Sequence, residues 1–125
     1  MDYLLDTRVF IWWMEKSRRL PQDIYKDINN PHNRIFLSVV TIWELIIKIE
    51  AKKIKLKFDL KSSVEKIGFK IIPIQLHHVS EVENLPLHHK DPFDRILIAQ
   101  AITENLTLIT SDQKIWKYRL KLIKA

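Results

Sequence analysis

The chain has 125 residues, which fits one domain over residues 1–125 with a substantial hydrophobic core, and a second domain is not expected. It contains no cysteine, so disulfides, thiol catalysis and cysteine-ligated metal sites are excluded. The formal net charge is +6 and its excess lies after residue 50, which is compatible with a polyanionic partner such as nucleic acid, although solvated lysine-rich helix faces explain it equally well.

Apolar patterning and turn residues predict alternating strands and helices along the chain. Strands are predicted over residues 3–5, 34–37, 70–74, 106–109 and 120–123. Helices are predicted over 7–14, 21–29, 39–51, 59–67, 76–84 and 93–104, with a short helix before the last strand. A loop is predicted over 85–90. This alternation is typical of an α/β fold in which helices cover both faces of a largely parallel sheet. The helix over 39–51 is apolar nearly all round, so we expect it to be buried.

Single residues mark where several elements end. Gly68 and Asn105 are expected to end the helices before them, because both residue types tolerate the left-handed conformation found at helix C-termini. Pro73 has no backbone N–H to donate, so the third strand is expected to end there or to lie at the edge of the sheet.

No part of the sequence indicates export or membrane insertion. The N-terminal residues include Asp2 and Asp6, where a secretory signal would carry lysines and arginines. The most apolar stretch, Val39 to Ile49, contains Glu44 and Lys48 and is too short to cross a bilayer. We therefore expect a soluble, cytoplasmic protein with no membrane partner.

Two acidic residues directly follow predicted strands, at the edge where parallel sheets bind their ligands, and two more lie on helices that can direct them to the same space. Asp6 and Asp112 follow the first and fourth strands, Glu44 lies two turns into the helix after the second strand, and Asp94 lies near the start of the helix before the fourth. Carboxylates brought together repel one another unless a cation compensates them, and Mg²⁺ prefers oxygen ligands. Such an ion can orient and acidify a water that attacks a phosphodiester, so the pattern indicates hydrolysis.

Each acid also has a purely structural explanation. Aspartate is a favoured helix N-cap, and the aspartates in position to cap a following helix are Asp6, Asp91 and Asp112. Asp94 suits the first turn of its helix, where the helix dipole favours a negative charge. Glu44 can pair with Lys48, one helical turn later.

Four segments, taken in order, resemble the motifs of the PIN-domain family. They are Leu4-Leu5-Asp6-Thr7, then Ser38 to Leu45 with Trp43-Glu44-Leu45, then Asp91-Pro92-Phe93-Asp94-Arg95-Ile96-Leu97-Ile98-Ala99-Gln100-Ala101, and Thr110-Ser111-Asp112. The resemblance spans nearly the whole chain and is closest to the VapC-type toxins of toxin-antitoxin pairs. The segment over residues 91–101 is the most specific of the four.

The resemblance implies a three-layer α/β/α domain with a mostly parallel sheet, and a Mg²⁺- or Mn²⁺-dependent endoribonuclease. It also implies a homodimer that a small antitoxin protein inhibits. The core metal-binding acids on the matching positions are Asp6, Glu44 and Asp94, and a fourth, binding directly or through water, is Asp112. An auxiliary role is implied for Asp91, and hydroxyls suited to positioning water or acid side chains are those of Thr7, Thr110 and Ser111.

One position departs from the family pattern. Members with this first motif often carry histidine where Arg8 stands, so Arg8 becomes a candidate contact to an RNA phosphate or to an acid. Arg95 and Trp116 are the other candidate RNA contacts, Trp116 because lysines and an arginine lie around it. Expected in the core or at a dimer contact are the remaining tryptophans, Trp12, Trp13 and Trp43.

Two pairs of adjacent histidines suggest a different metal site. His77-His78 and His88-His89 are candidate zinc ligands, with Asp91 as a third ligand. Adjacent histidines lack the i, i+4 spacing that puts two rings on one helix face, so the sequence disfavours zinc.

Three other functions are compatible with parts of the pattern. The first is a non-catalytic PIN-like module that binds RNA or a protein partner, which the intact set of acids argues against. The second is a nuclease with a housekeeping role in RNA processing. The third is a phospho-accepting receiver domain, but that fold usually has adjacent acids after its first strand, whereas Thr7 follows Asp6 here.

Overall fold

Five short strands form a parallel sheet at the centre of the fold. The structure is a computed structural model that describes residues 1–125. The strands are β1 (Asp2–Leu5), β2 (Arg34–Ser38), β3 (Lys70–Ile72), β4 (Thr107–Thr110) and β5 (Leu122–Lys124). They lie in the order β3-β2-β1-β4-β5, and every neighbouring pair is parallel. The predicted α/β fold with a parallel sheet is confirmed.

Six helices connect and cover the strands. They are α1 (Thr7–Met14), α2 (Gln22–Asn29), α3 (Val39–Glu50), α4 (Leu60–Lys66), α5 (Leu76–Val82) and α6 (Pro92–Thr103), and a 3₁₀ turn follows over Ile115–Lys117. Each predicted helix is present, with ends that differ by a few residues at most. Gly68 and Asn105 have φ angles of 75° and 55°, which is the left-handed conformation expected after α4 and α6. The third strand ends at Ile72, just before Pro73, and lies at the sheet edge as predicted.

Side chains that alternate along the strands divide the core into two layers. On one face, Tyr3 and Leu5 of β1 pack with buried residues of α1 and α2. On the other face, Leu4 packs with α6 and the 3₁₀ turn. Because successive residues of a strand point to opposite faces, a strand buried on both sides is apolar throughout. The result is the predicted three-layer α/β/α arrangement.

The helix α3 differs from its prediction, because it is not buried all round. Its buried residues are Val40, Thr41, Glu44 and Leu45. Its exposed large apolar residues are Val39, Trp43, Ile46, Ile47 and Ile49. Within one chain, only one face of this helix meets the sheet and its neighbours α1 and α6. The other face therefore stays uncovered, although its composition is that of a buried surface.

The order of the strands determines where a ligand can bind. From β1 the chain moves outward to β2 and β3 on one side, and β4 and β5 fill the other side. In open parallel sheets such a reversal leaves a crevice at the carboxyl ends of the central strands. The crevice lies here between β1 and β4. None of the helices combines the length and the hydropathy that crossing a bilayer requires.

Candidate metal centre

A pocket of about 600 Å³ opens at the carboxyl ends of β1 and β4. Its carboxylates come from four parts of the chain and are those of Asp6, Glu44, Asp91, Asp94 and Asp112. Its cationic side chains are those of Arg8, Lys48 and Lys114. A larger groove of about 1140 Å³, between α3 and α4, is lined mainly by apolar side chains and lysines and contains none of the predicted acids. The four acids expected to converge thus share one pocket, while their role in binding metal stays a prediction.

Asp6 directly follows β1, and both of its carboxylate oxygens accept hydrogen bonds. Oδ1 accepts from the Val9 N–H at 2.8 Å, so Asp6 is also the N-cap of α1. Oδ2 accepts from the Thr110 hydroxyl at 2.5 Å. Burial raises the pKa of Asp6 to about 6, against the opposing effect of these two hydrogen bonds. The capping role and the position in the pocket therefore coexist in one residue.

Glu44 is a buried carboxylate on α3 that two other side chains orient. Its Oε1 accepts a hydrogen bond from Thr7 Oγ1 at 2.7 Å. Its Oε2 lies 2.8 Å from Lys48 Nζ, which confirms the ion pair expected from the i, i+4 spacing. A buried carboxylate needs such partners because it has lost its water. Thr7 and Lys48 thus hold Glu44 at the pocket from two different helices.

Asp94 lies in the first turn of α6, which Asp91 caps. Asp91 Oδ1 accepts from the N–H groups of Phe93 and Asp94 at 2.8 and 3.2 Å, so its predicted N-cap role is confirmed. Burial raises the pKa of Asp94 to about 7, and His89 opposes this effect. The negative charges that add to the effect of burial are those of Asp91, Glu44 and Asp112.

Asp112 follows β4 and ionises more readily than its neighbours. Burial disfavours its charged form, but the Lys114 N–H donates to Oδ1 at 2.9 Å and His89 Nε2 lies 2.8 Å from Oδ2. Together with the nearby basic group of Arg8, these contacts hold the pKa of Asp112 below its usual range. The Thr110 hydroxyl, which donates to Asp6, also accepts the Asp112 N–H at 3.0 Å. Thr110 therefore links the ends of the first and fourth strands.

His89 is a residue of the site whose role the sequence did not indicate. Its Nε2 lies 2.9 Å from Asp94 Oδ2 and 2.8 Å from Asp112 Oδ2, so one nitrogen contacts two of the four acids. Its Nδ1 accepts the Asp91 N–H at 3.1 Å. Position alone carried a clue, because His89 lies two residues before the helix cap Asp91. Nothing in the sequence distinguishes His89 from the adjacent His88, which is exposed in the structure.

The hydrogen bonds of the histidines also bear on the zinc alternative. Neutral imidazole has one lone pair and one N–H, so a ring whose Nδ1 accepts a backbone N–H carries its proton on Nε2. This applies to His89 and also to His78, whose Nδ1 accepts the Gln75 N–H at 3.0 Å. In both rings the nitrogen that faces a carboxylate is therefore a donor, which disfavours its use as a zinc ligand.

The three candidate RNA contacts have different surroundings. Arg8 is exposed at the pocket. Trp116 is half-buried, donates its indole N–H to Thr110 O at 2.9 Å and lies under Lys124 Nζ, 5.3 Å from the ring centroid. The Arg95 guanidinium donates to backbone oxygens around the loop that carries His89, those of Val82, Leu85, Pro86 and His89. Arg8 is the one of the three with a free approach to a substrate in the pocket.

A sequence profile described as PIN domain matches residues 3–120. The chain belongs to the PIN domain family. PIN domains are generally nucleases. The predicted family is thereby confirmed for nearly the whole chain. No curated protein sequence gave a significant match.

Several solved structures share the fold of this PIN domain. VapBC2 from Rickettsia felis, bound to a DNA fragment from its promoter, superposes with a TM-score of 0.75 at 20% identity, covering 100% of this chain and 99% of that one. DNA-bound VapBC from Salmonella typhimurium gives 0.71 at 16% identity, with coverages of 99% and 98%. A toxin-antitoxin complex from Klebsiella pneumoniae gives 0.68 at 22% identity, with coverages of 98% and 96%. At these identities the similarity establishes the fold.

The donor set of this PIN domain fits a hard divalent cation. Five carboxylates share the pocket with three cationic side chains, and carboxylate oxygens are the ligands that Mg²⁺ and Mn²⁺ prefer. Burial raises the pKa of both Asp6 and Asp94, and nearby carboxylates add to that effect at Asp94, so a bound cation would favour their charged forms. The buried Ser111 Oγ has no hydrogen-bond partner in the chain, although Ser111 lines the same pocket. These features favour Mg²⁺ or Mn²⁺ over a softer metal.

Proposed function

We propose that this PIN domain is a Mg²⁺- or Mn²⁺-dependent endoribonuclease of the VapC toxin type. The observation that carries the proposal is the convergence of Asp6, Glu44, Asp94 and Asp112 in one pocket at the crevice between β1 and β4. These residues come from distant parts of the chain, and folding concentrates their negative charge against electrostatic repulsion. A divalent cation would relieve this repulsion, and carboxylate oxygens are ligands that such a cation prefers.

The four acids would hold the ion, with Asp91 in the auxiliary role of capping α6 beside Asp94. When bound, the ion supplies Lewis-acid chemistry: it orients and acidifies the attacking water and neutralises charge on the phosphodiester. The chain's own hydroxyls prepare the ligands for it. Thr110 holds Asp6 and Thr7 holds Glu44 through hydrogen bonds of 2.5 and 2.7 Å. Ser111 adds an unpaired hydroxyl that can accept or donate to a water in the pocket.

Cationic side chains beside the acids support a polyanionic substrate. Arg8 and Lys114 are exposed at the pocket, and Lys48 is partly exposed beside Glu44. Cations in such positions attract phosphates and release their counterions. The net charge of +6 acts in the same direction over a longer range. In this proposal, Arg8 and Lys114 contact the phosphates that flank the cleaved bond.

The toxin part of the proposal is supported by the VapBC complexes that share this fold over nearly their whole length. We propose a cognate antitoxin protein and a homodimer as partners. The exposed apolar residues of α3, Trp43 and Ile46 among them, provide a surface that a protein partner would cover. An RNA substrate and such a partner would place the protein in the cytoplasm.

Cleavage of RNA by the purified protein tests the nuclease proposal. We expect cleavage with Mg²⁺ or Mn²⁺ and none with a chelator. Asp94→Asn should lose at least about 100-fold, because removing a ligand should cost no less than the roughly 10- to 100-fold that removing a group behind a ligand costs. Asp23→Asn, an exposed aspartate on α2, is the matched control and should cleave like wild type. Cleavage that persists in both the chelator and Asp94→Asn would reject the proposal.

Growth of a host that expresses the chain separates a toxin from a housekeeping nuclease. A toxin should arrest growth, and co-expression of a short protein encoded beside it should restore growth. The variant Asp94→Asn should leave growth normal without co-expression. Normal growth with the active wild type would favour the housekeeping role instead.

A further inference from the structure

One imidazole nitrogen lies between two of the four acids of the pocket. His89 Nε2 is hydrogen-bonded to Asp112 Oδ2 at 2.8 Å and lies 2.9 Å from Asp94 Oδ2, a close contact that is not aligned as a hydrogen bond. The ring is buried, with 9% of the residue exposed. Because Nδ1 accepts the Asp91 N–H, the ring proton is assigned to Nε2, where it faces the two carboxylates.

The backbone around His89 is also fixed, which gives the ring little freedom to leave this position. The His89 N–H donates to Tyr118 Oη at 2.9 Å, and His89 O accepts from Arg95 Nη1 at 3.2 Å. Tyr118 is itself buried, and its hydroxyl donates to Pro86 O at 2.8 Å. Arg95 of α6 and Tyr118, which follows β4, thus hold the loop from Pro86 to His89 through hydrogen bonds, and neither residue lines the pocket.

These contacts bring together two carboxylates that reach the pocket from different elements. Asp94 comes from the first turn of α6, and Asp112 comes from the segment after β4. Without the imidazole between them, their mutual repulsion would drive the two side chains apart. Groups that hold ligands in this way set how tightly a site binds its ion, because the ligands need no rearrangement when the ion arrives.

We propose that His89 is a positioning residue, whose Nε2–H donates to Asp112 while the ring lies against Asp94, so that it holds the two carboxylates side by side and raises the affinity of the pocket for a divalent cation. The inference rests on the proposed function, because it takes the acid pocket to be a metal site. It assigns His89 a contact to the ligands and none to the metal. Arg95 and Tyr118 act indirectly, because their hydrogen bonds hold the loop that carries His89.

Titration of the full-length protein with Mn²⁺, followed by electron paramagnetic resonance of the free ion and without RNA, tests this role. We expect His89→Ala to weaken Mn²⁺ binding by roughly 10- to 100-fold, the usual effect of removing a group that orients metal ligands. His89→Gln can present an N–H near the position of Nε2, so it should recover part of that loss. The adjacent His88→Ala is the matched control, because His88 is exposed and lies outside the pocket, with its ring edge-on to Tyr118, and it should bind like wild type.

The outcomes separate this inference from the proposed function. If wild type binds Mn²⁺ and His89→Ala binds it equally well, the positioning role is wrong and the nuclease proposal stands. If His89→Gln is as weak as His89→Ala although both melt as folded proteins, the donor at Nε2 is not what matters and the inference also fails. If wild type does not bind Mn²⁺, the metal site itself is wrong, and both proposals fail together.

Discussion

Three aspartates of one pocket differ in how readily they ionise. Burial raises the pKa of Asp6 to about 6 and that of Asp94 to about 7, whereas donors to both oxygens of Asp112 help to hold its pKa below the usual range. Asp94 has the most negative surroundings, because Asp91 and Glu44 lie close to it. A cation therefore competes with a proton on Asp6 below a pH of about 6 and on Asp94 below a pH of about 7, whereas Asp112 stays charged to lower pH.

The Thr110 hydroxyl is expected to stabilise both the fold and the ionised form of Asp6. In Thr110→Val, which has the same shape, Asp6 loses a donor and the Asp112 N–H loses an acceptor. We expect the free energy of unfolding to fall by about 1–3 kcal/mol, the usual cost of buried polar groups without partners. The pKa of Asp6 should rise further, because the lost bond favours the charged form. Urea unfolding and an NMR titration of the Asp6 carboxyl measure the two effects.

The matched control for this change is Thr107→Val. Thr107 is a buried threonine on the same strand, three residues from Thr110 and outside the pocket. The substitution Thr107→Val should leave the pKa of Asp6 unchanged. A similar rise of that pKa in both variants would show that the Thr110 hydroxyl has no specific effect.

At the scale of elements, the sequence predicted the order and type of every strand and helix. It did so because each element has a clear apolar period and a residue that ends it, as Pro73 and Asn105 illustrate. The convergence of the acids followed from the same reasoning, since carboxyl ends of parallel strands share one edge. Two features were beyond such reasoning. The exposed face of α3 depends on which neighbours reach it, and the contact of His89 depends on the path of an irregular loop.

Two helix caps of the same kind allow the structural and the electrostatic roles of Asp91 to be separated. Asp91 caps α6 in the pocket, and Asp59 caps α4 outside it by accepting the Ser62 N–H at 3.0 Å. We expect Asp91→Ala and Asp59→Ala each to lower the free energy of unfolding by about 1 kcal/mol, the typical value of an N-cap. Only Asp91→Ala should lower the pKa of Asp94, because Asp91 is the neighbouring carboxylate whose charge raises that pKa most.

Denaturant unfolding of both variants and an NMR titration of Asp94 measure these effects. Asp59→Ala tests whether loss of a helix cap by itself alters the pocket. An unchanged pKa of Asp94 in Asp91→Ala would contradict the electrostatic role of Asp91. A shift of equal size in Asp59→Ala would attribute the effect to general loosening of the fold.

At the scale of the whole molecule, the acid pocket links stability to pH. An acid whose pKa is higher in the folded than in the unfolded chain binds more protons when folded. Asp94, with a pKa raised from 3.8 to about 7, therefore stabilises the metal-free fold at pH values below 3.8 relative to high pH, and this contribution is lost as the pH rises to about 7. Asp6 likewise stabilises the fold at low pH, and its contribution is lost as the pH rises to about 6. His78 acts in the opposite direction, because burial lowers its pKa below 6.5.

Comparison of wild type with Asp94→Asn isolates the contribution of Asp94, since Asp6 and His78 are present in both proteins. Between about pH 5 and pH 8, the melting temperature of metal-free wild type should fall relative to that of the variant. Adding Mn²⁺ at pH 8 should raise the melting temperature of wild type and leave that of Asp94→Asn nearly unchanged. Differential scanning fluorimetry with and without chelator measures both effects. Parallel pH profiles for the two proteins would contradict the raised pKa of Asp94.

The strand order also determines when, during synthesis, the pocket can exist. Asp6 receives its hydrogen bond from Thr110, 104 residues later in the chain, and β1 needs β4 on its open side before the crevice has two walls. A nascent chain that has emerged only as far as α5 can pair β1 with β2, but it lacks Asp94 and Asp112. Contacts between such distant segments form late in folding. The acid pocket is therefore incomplete while the polypeptide is being translated, so under the proposed function a nascent chain has no centre with which to cleave RNA.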